Sequence, residues 1–126
     1  MASDVCPFCD TTVTTTHMLL HCPSVQPAWD LLQPLHPNPA ACESITELWD
    51  QQRNDKVRST VLIAILWNLW KWRNALVFHG DHEGLHRAIQ HSANDLRLWT
   101  SRCSATSPRN LLTDWAVMLS HLAMGL

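Results

Sequence analysis

The chain has no tyrosine, and its first 52 residues contain neither lysine nor arginine. Charged residues make up only 16% of the sequence, below the roughly 25% usual in soluble domains. The 46% of hydrophobic residues can fill a core, which excludes the poorly apolar, highly charged composition of a disordered chain. Long apolar runs are also missing. The longest, Val61 to Trp67, is soon followed by Asn68, Lys71, Arg73 and Asn74. A membrane span needs about 20 mostly apolar residues, so none is expected. Met1-Ala2-Ser3-Asp4 has neither a basic region nor an apolar run, so no export signal is expected. An intracellular place, cytoplasmic or nuclear, follows as an expectation. In such a reducing compartment the five cysteines are expected to be thiols or metal ligands rather than disulfides. There is no internal repeat and no low-complexity tract.

Seven tryptophans take the place of other aromatics, and several should anchor helix packing, since each buries a large area and carries one donor. Charge is unevenly placed. Asp4, Asp10, Asp30, Glu43, Glu47 and Asp50 occupy the part without basic residues, and all nine basic residues lie between Arg53 and Arg109. A length of 126 residues argues for one domain, or one with a small appendage.

The strongest chemical pattern is Cys6-x2-Cys9-x7-His17-x4-Cys22. Zinc favours four thiolate and imidazole ligands in a tetrahedron. A Cys-x2-Cys turn points two sulfurs at one place, and a helical His-x4-Cys pair can close the site. His21, one helical turn after His17, competes with Cys22, which is preferred for its spacing and for the affinity of thiolate for zinc. Four protein ligands would leave no position for catalytic water, so the metal is expected to be structural. A redox role for the Cys-x-x-Cys pair lacks a surrounding βαβ pattern. Cys42 and Cys103 read as ordinary thiols. His79, His82 and His86 could in principle bind a second metal, but Gly80 and Gly84 mark a loop, and solvated histidines are the simpler reading.

Along the chain, residues 1–33 read as a zinc knuckle followed by a short helix from Pro27 to Leu32. Residues 34–54 form a Pro-rich connector with a short helix, capped by Ser44 and Glu47. Residues 55–126 form a helical region of about three helices. The first, Asp55 to Phe78, is apolar on nearly every side, with a thin polar stripe at Thr60, Asn68 and Lys71, and should be the hub. Gly80 stops it. The second, Leu85 to Cys103, turns Leu85, Ile89, Ala93, Leu96, Trp99 and Cys103 inward, and His86, Arg87, Gln90, Asn94, Asp95 and Arg102 outward. The last follows Ser107-Pro108, read as N-cap and first helical residue. It presents Leu111, Leu112, Trp115, Met118, Leu119 and Leu122. The expected fold is mostly α, with an N-terminal CCHC zinc knuckle packed on a small helical bundle. Arg73 and Asn74 either hydrogen-bond finger or loop carbonyls, or sit exposed near the negative end of the long helix.

Two stretches together resemble a known family. They are Cys6-Pro7-x-Cys9 with His17-x4-Cys22, followed by Trp29, and Leu66-Trp67-x2-Trp70-Lys71-x-Arg73-Asn74-x3-Phe78. This is similar to the reverse-transcriptase zinc-binding domain at the C-terminal end of plant LINE-type (non-LTR) retrotransposon polyproteins, over about residues 5–80. The resemblance maps the family's zinc ligands onto Cys6, Cys9, His17 and Cys22. It implies a domain downstream of a polymerase that assists handling of the element's RNA or target DNA. The family usually has an acidic residue shortly before the histidine; here that region is Thr14-Thr15-Thr16.

Catalytic groups are lacking. A polymerase of this type needs Tyr/Phe-x-Asp-Asp, because two-metal nucleotidyl transfer needs clustered carboxylates, and the chain has no tyrosine and no Asp-Asp pair. No Gly-x-Ser-x-Gly elbow, P-loop or His-Glu-x-x-His helix is expected. The chain therefore reads as a non-enzymatic binding module without a small-molecule substrate. Any nucleic-acid binding should be weak and use Arg53, Lys56 and Arg58, with Lys71 and Arg73, since affinity comes largely from cations meeting phosphates. The finger has no cation, and its three thiolates outweigh the charge of a Zn2+ ion by one, so contact there would rest on stacking by Phe8 or an exposed tryptophan. The alternative is a protein-interaction module that uses uncovered apolar helix faces, through self-association or a partner.

Overall fold

The computed structural model describes residues 14, 16–32, 43–52, 54–80, 84–102 and 106–125. Among them the chain forms a π-helical turn, His17–His21, and the α-helices α1 (Gln26–Leu31), α2 (Ile45–Gln52), α3 (Lys56–His79), α4 (Leu85–Thr100) and α5 (Thr106–Ala123). No strand occurs among the described residues. The fold is mostly α, and no described helix is long and apolar enough to cross a membrane.

The helix ends follow local chemistry. The Asp55 carboxylate accepts from the backbone N–H of Val57 at 3.1 Å and of Arg58 at 3.0 Å, which satisfies two of the unpaired donors that open α3. At the other end Gly80 has φ of 62°, a left-handed conformation that a side chain would strain. α2 begins with a displaced capping box. Ser44 Oγ accepts from the Glu47 N–H at 3.1 Å, and Glu47 Oε2 accepts from the N–H of Glu43, not of Ser44, at 2.6 Å. α4 stops at Thr100, short of the expected Cys103. The hydroxyls of Thr100 and Ser101 donate to the carbonyls of Arg97 at 2.6 Å and Leu98 at 2.7 Å, competing with helix continuation. Helix α5 starts at Thr106 and not at Pro108. The first-turn N–H groups of a helix are unpaired in any case, so proline is tolerated there.

Helix α3 is the hub. It packs on α4, α2, α5 and the π-helical turn, while α4 also packs on α5 and α1. Small residues let α3 and α4 approach: Ala64 on one, Ala88, Ser92 and Ala93 on the other, all buried. Ser92 Oγ donates to the carbonyls of Ala88 at 2.9 Å and of Ala64 across the seam at 3.3 Å. Asn68 Nδ2 donates to Ala64 O at 2.8 Å and to Asp95 Oδ2 at 2.9 Å. This corrects two expectations. Asn68 is buried rather than part of an exposed polar stripe, and Asp95 leans inward rather than out. Leu111, expected on the inner face of α5, is 48% exposed. Leu112, Ala116, Leu119 and Ala123 of α5 are buried in the core, and Trp115 and Leu122 pack against it half-buried.

One buried cluster joins both ends of the described chain. It contains Leu19, Leu20, Cys22, Val25, Trp29 and Leu32 together with Leu48, Leu62, Ile65, Leu69, Ile89, Leu96 and Leu119. Each large apolar side chain removed from water contributes about 1.5–3 kcal/mol. The described parts of the knuckle, connector and helical region share this core.

Candidate metal centre and basic surface

The segment that carries two of the expected zinc ligands has an unusual backbone. Thr14 O accepts from the N–H of Met18 at 2.9 Å, an α-type spacing, but the next turn widens, and Cys22 N–H reaches back five residues to His17 O at 2.7 Å. Widened turns of this kind are rare and gather at functional sites. An α turn stacks residues four apart; the π turn brings residues five apart, here His17 and Cys22, nearer to one side. Both are buried, at 8% and 1% exposure, whereas His21 is exposed. Cys22 has extended ψ of 133°, as a residue before proline prefers, and Pro23 has no N–H with which to continue the helix.

The carbonyls freed by this ending are met by α1. Trp29 Nε1 donates to Leu19 O at 2.8 Å, and Gln26 Nε2 donates to Leu20 O at 2.7 Å and Cys22 O at 3.5 Å. Thr14 Oγ1 accepts from the His17 N–H at 3.0 Å, and Thr16 Oγ1 accepts from the first N–H of α2, that of Ile45, at 3.2 Å. Ser24 Oγ donates to Cys22 Sγ at 3.1 Å. A donor aimed at sulfur favours its thiolate, the form that binds metal. His17 and Cys22 thus fit a metal in type, burial and surroundings. Cys6 and Cys9 lie outside the described residues, as do Cys42, Cys103 and Phe8. No group of three or more His, Cys, Asp or Glu gathers among the described residues.

The sequence His82-Glu83-Gly84-Leu85-His86 has the letters of a zinc-protease helix. That motif needs both histidines on one helical face. Gly84 is extended, with φ of −67° and ψ of 156°, and α4 begins after it. The helix that carries His86 therefore starts at Leu85, and His82 and Glu83 lie outside the described residues.

The expected nucleic-acid residues do not converge. Lys56 and Lys71 are exposed on α3, separated by about 22 Å of helix rise. Arg58 is half-buried, with Nε 3.9 Å from Asp55 Oδ2 and its guanidinium carbon 5.8 Å from the centre of the Trp115 ring. Lys71 Nζ lies 5.5 Å from the centre of the Trp67 ring. Arg53 lies outside the described residues. Arg73 departs from expectation: it is only 6% exposed, and its Nε has no hydrogen-bond partner among the described residues. A guanidinium so placed cannot meet phosphate in solvent. It is not the exposed helix-end arginine of one expectation; most of the finger and loop carbonyls of the other lie outside the described residues.

Beside Asn68 a groove of about 220 Å³ opens between α3 and α4, lined by Asn68, Lys71, Trp72, Ala75, Ala88 and His91. The buried Asn68 Oδ1 has no hydrogen-bond partner among the described residues. Sequence reasoning missed this groove, because nothing in hydropathy marks which flank of α3 meets α4. Comparison of the chain with protein-family models, curated proteins and solved structures finds no match.

Proposed function

We propose that the chain is a non-catalytic zinc-binding module, derived from the C-terminal part of a retrotransposon polyprotein as its resemblance implies. In this reading Cys6, Cys9, His17 and Cys22 hold one Zn2+. The observation that carries it is the joint burial of His17 and Cys22. The widened turn draws both inward, a hydroxyl donates to the Cys22 sulfur at 3.1 Å, and the competing His21 stays exposed. Zinc would supply a cross-link, and a closed shell leaves no place for a reacting water. The test is metal analysis of purified chain. One zinc per chain is expected, lost in Cys6→Ser and Cys22→Ser and kept in Cys42→Ser, Cys103→Ser and His21→Ala. Loss in His21→Ala with retention in His17→Ala overturns the ligand set.

Weak binding of RNA or DNA accompanies this reading, through Lys56, Arg58 and Lys71 with Arg53; Arg73 is withdrawn from that set by its burial. A few phosphate contacts give affinity that falls steeply with salt. Arg53→Glu combined with Arg58→Glu should abolish such binding, and Phe8→Ala, with zinc retained, should leave it nearly intact. Survival of the charge reversal with failure of Phe8→Ala overturns the charge argument. A second reading, a protein-interaction module, is favoured by one observation: the apolar stripe that α3 leaves open to solvent.

A further inference from the structure

The open side of α3 has a regular composition. Ile63, Trp67, Trp70 and Val77 are 47%, 50%, 40% and 38% exposed, and Phe78, beside Val77, is 72% exposed. With the partly exposed Asn74 they run 63, 67, 70, 74, 77. The steps of four, three, four and three are those of a coiled-coil seam. Trp67 and Trp70 stack on each other, ring centres 5.2 Å apart and planes 16° from parallel, which makes a flat apolar slab at the middle of the stripe. The other sides of the helix are covered: Leu62, Ala64, Ile65, Asn68, Leu69 and Arg73 are buried.

We infer that this stripe is the contact between two copies of the chain, with α3 lying parallel and in register against α3 of a second copy. The inference rests on the interaction reading and not on the metal. Three observations select a second copy. The first is the seam spacing, which is made for another helix. The second is Asn74, the one polar member, at a position equivalent to Trp67. An amide carries donor and acceptor together, so it pairs with its own copy, and a lone asparagine at this position fixes register and favours two strands. The third is area. Aromatic side chains bury roughly 150–250 Å² each, so the open parts of these five residues offer on the order of 500 Å². A standard interface takes about 800 Å² per partner; Asn74 within the stripe and Leu66 and Lys71 on its borders add to it. In a parallel pair Lys71 lies beside Leu66 of the second copy, not beside Lys71, so like charges stay apart. A nucleic-acid platform is less well served, because Lys71 is the single lysine or arginine exposed between residues 60 and 78, and phosphate contacts carry affinity.

The test is sedimentation equilibrium of the zinc-loaded full chain, from low micromolar to submillimolar concentration, with zinc content measured on the same samples. A monomer–dimer equilibrium is expected. Trp67→Ser and Trp70→Ser should each weaken it by about thirtyfold, Asn74→Lys should abolish it, and Leu98→Ser, at a residue exposed on α4, should leave it unchanged. All four sites are exposed or partly so, and unchanged helical circular dichroism checks that each variant folds. A chain that stays monomeric throughout overturns the inference. So does a dimer that Asn74→Lys leaves intact, or a monomer that binds single-stranded RNA through Trp67 and Trp70. A dimer in samples that hold no zinc sinks the metal reading and leaves this one standing.

Discussion

The indole N–H of Trp29 donates to the carbonyl oxygen of Leu19 at 2.8 Å, with both residues buried. The bond joins α1 to the widened turn that carries His17 and Cys22. Trp29→Phe keeps most of the apolar bulk but leaves that carbonyl unpaired, which costs about 1–3 kcal/mol. Trp29→Ala should cost about 3–5 kcal/mol, because a cavity adds to the loss. Urea unfolding measures both, and a Phe variant as stable as the parent would show that the bond does not hold the turn.

A change at Ser24 tests the proposed metal site without altering a proposed ligand. Its hydroxyl donates to the Cys22 sulfur at 3.1 Å. Loss of such a partner lowers metal affinity by about tenfold or more. Ser24→Ala should therefore still bind one zinc but release it to a weaker chelator. Unchanged affinity in a competition titration would remove Cys22 from the ligand set or the hydroxyl from its role.

Chelation should act unevenly. Structural zinc contributes on the order of 10 kcal/mol to small fingers, so its removal should open residues 16–32 first. Helices α3, α4 and α5 keep apolar contacts of their own and should hold much of their helicity. Hydrogen exchange after chelation should speed up at Leu19 to Leu32 before it does in the middle of α4. Complete loss of helical circular dichroism would show that the shared core cannot stand without the metal.

Between α3 and α4 the amide of Asn68 donates to Asp95 at 2.9 Å. Hydrogen bonds to a charged group contribute about 1.5–3 kcal/mol. A double-mutant cycle of Asn68→Ala and Asp95→Ala should return a coupling of about that size. A coupling near zero would mean that Ala64 O, the second acceptor of Asn68 at 2.8 Å, carries the amide alone.

Much of the secondary structure was legible because its signals are local. Asp55 before an apolar run, Gly80 after it and Ser44 three residues before Glu47 each act on neighbouring backbone groups, and each marks an end where expected. The proposed ligand pattern is likewise a matter of spacing along the chain. Phase was legible in α4, where polar and apolar sides differ, apart from Asp95. It was not legible in α3, because a helix apolar on every side gives hydropathy nothing to orient by.

The sequence by itself therefore determined roughly where the helices lie, and it carries the Cys/His spacing on which the zinc proposal rests. Only the tertiary structure decided which flank of α3 takes α4. That choice buries Asn68 against Asp95 and leaves Ile63, Trp67, Trp70 and Val77 open to solvent. It decided as well that Arg73 goes inside and that the last turn before Pro23 widens so that Cys22 follows His17 inward while His21 does not. The physical reason is common to all of these. Capping and turn formation depend on groups a few residues apart, whereas burial depends on which distant surface arrives, and that is set by the packing of the whole core.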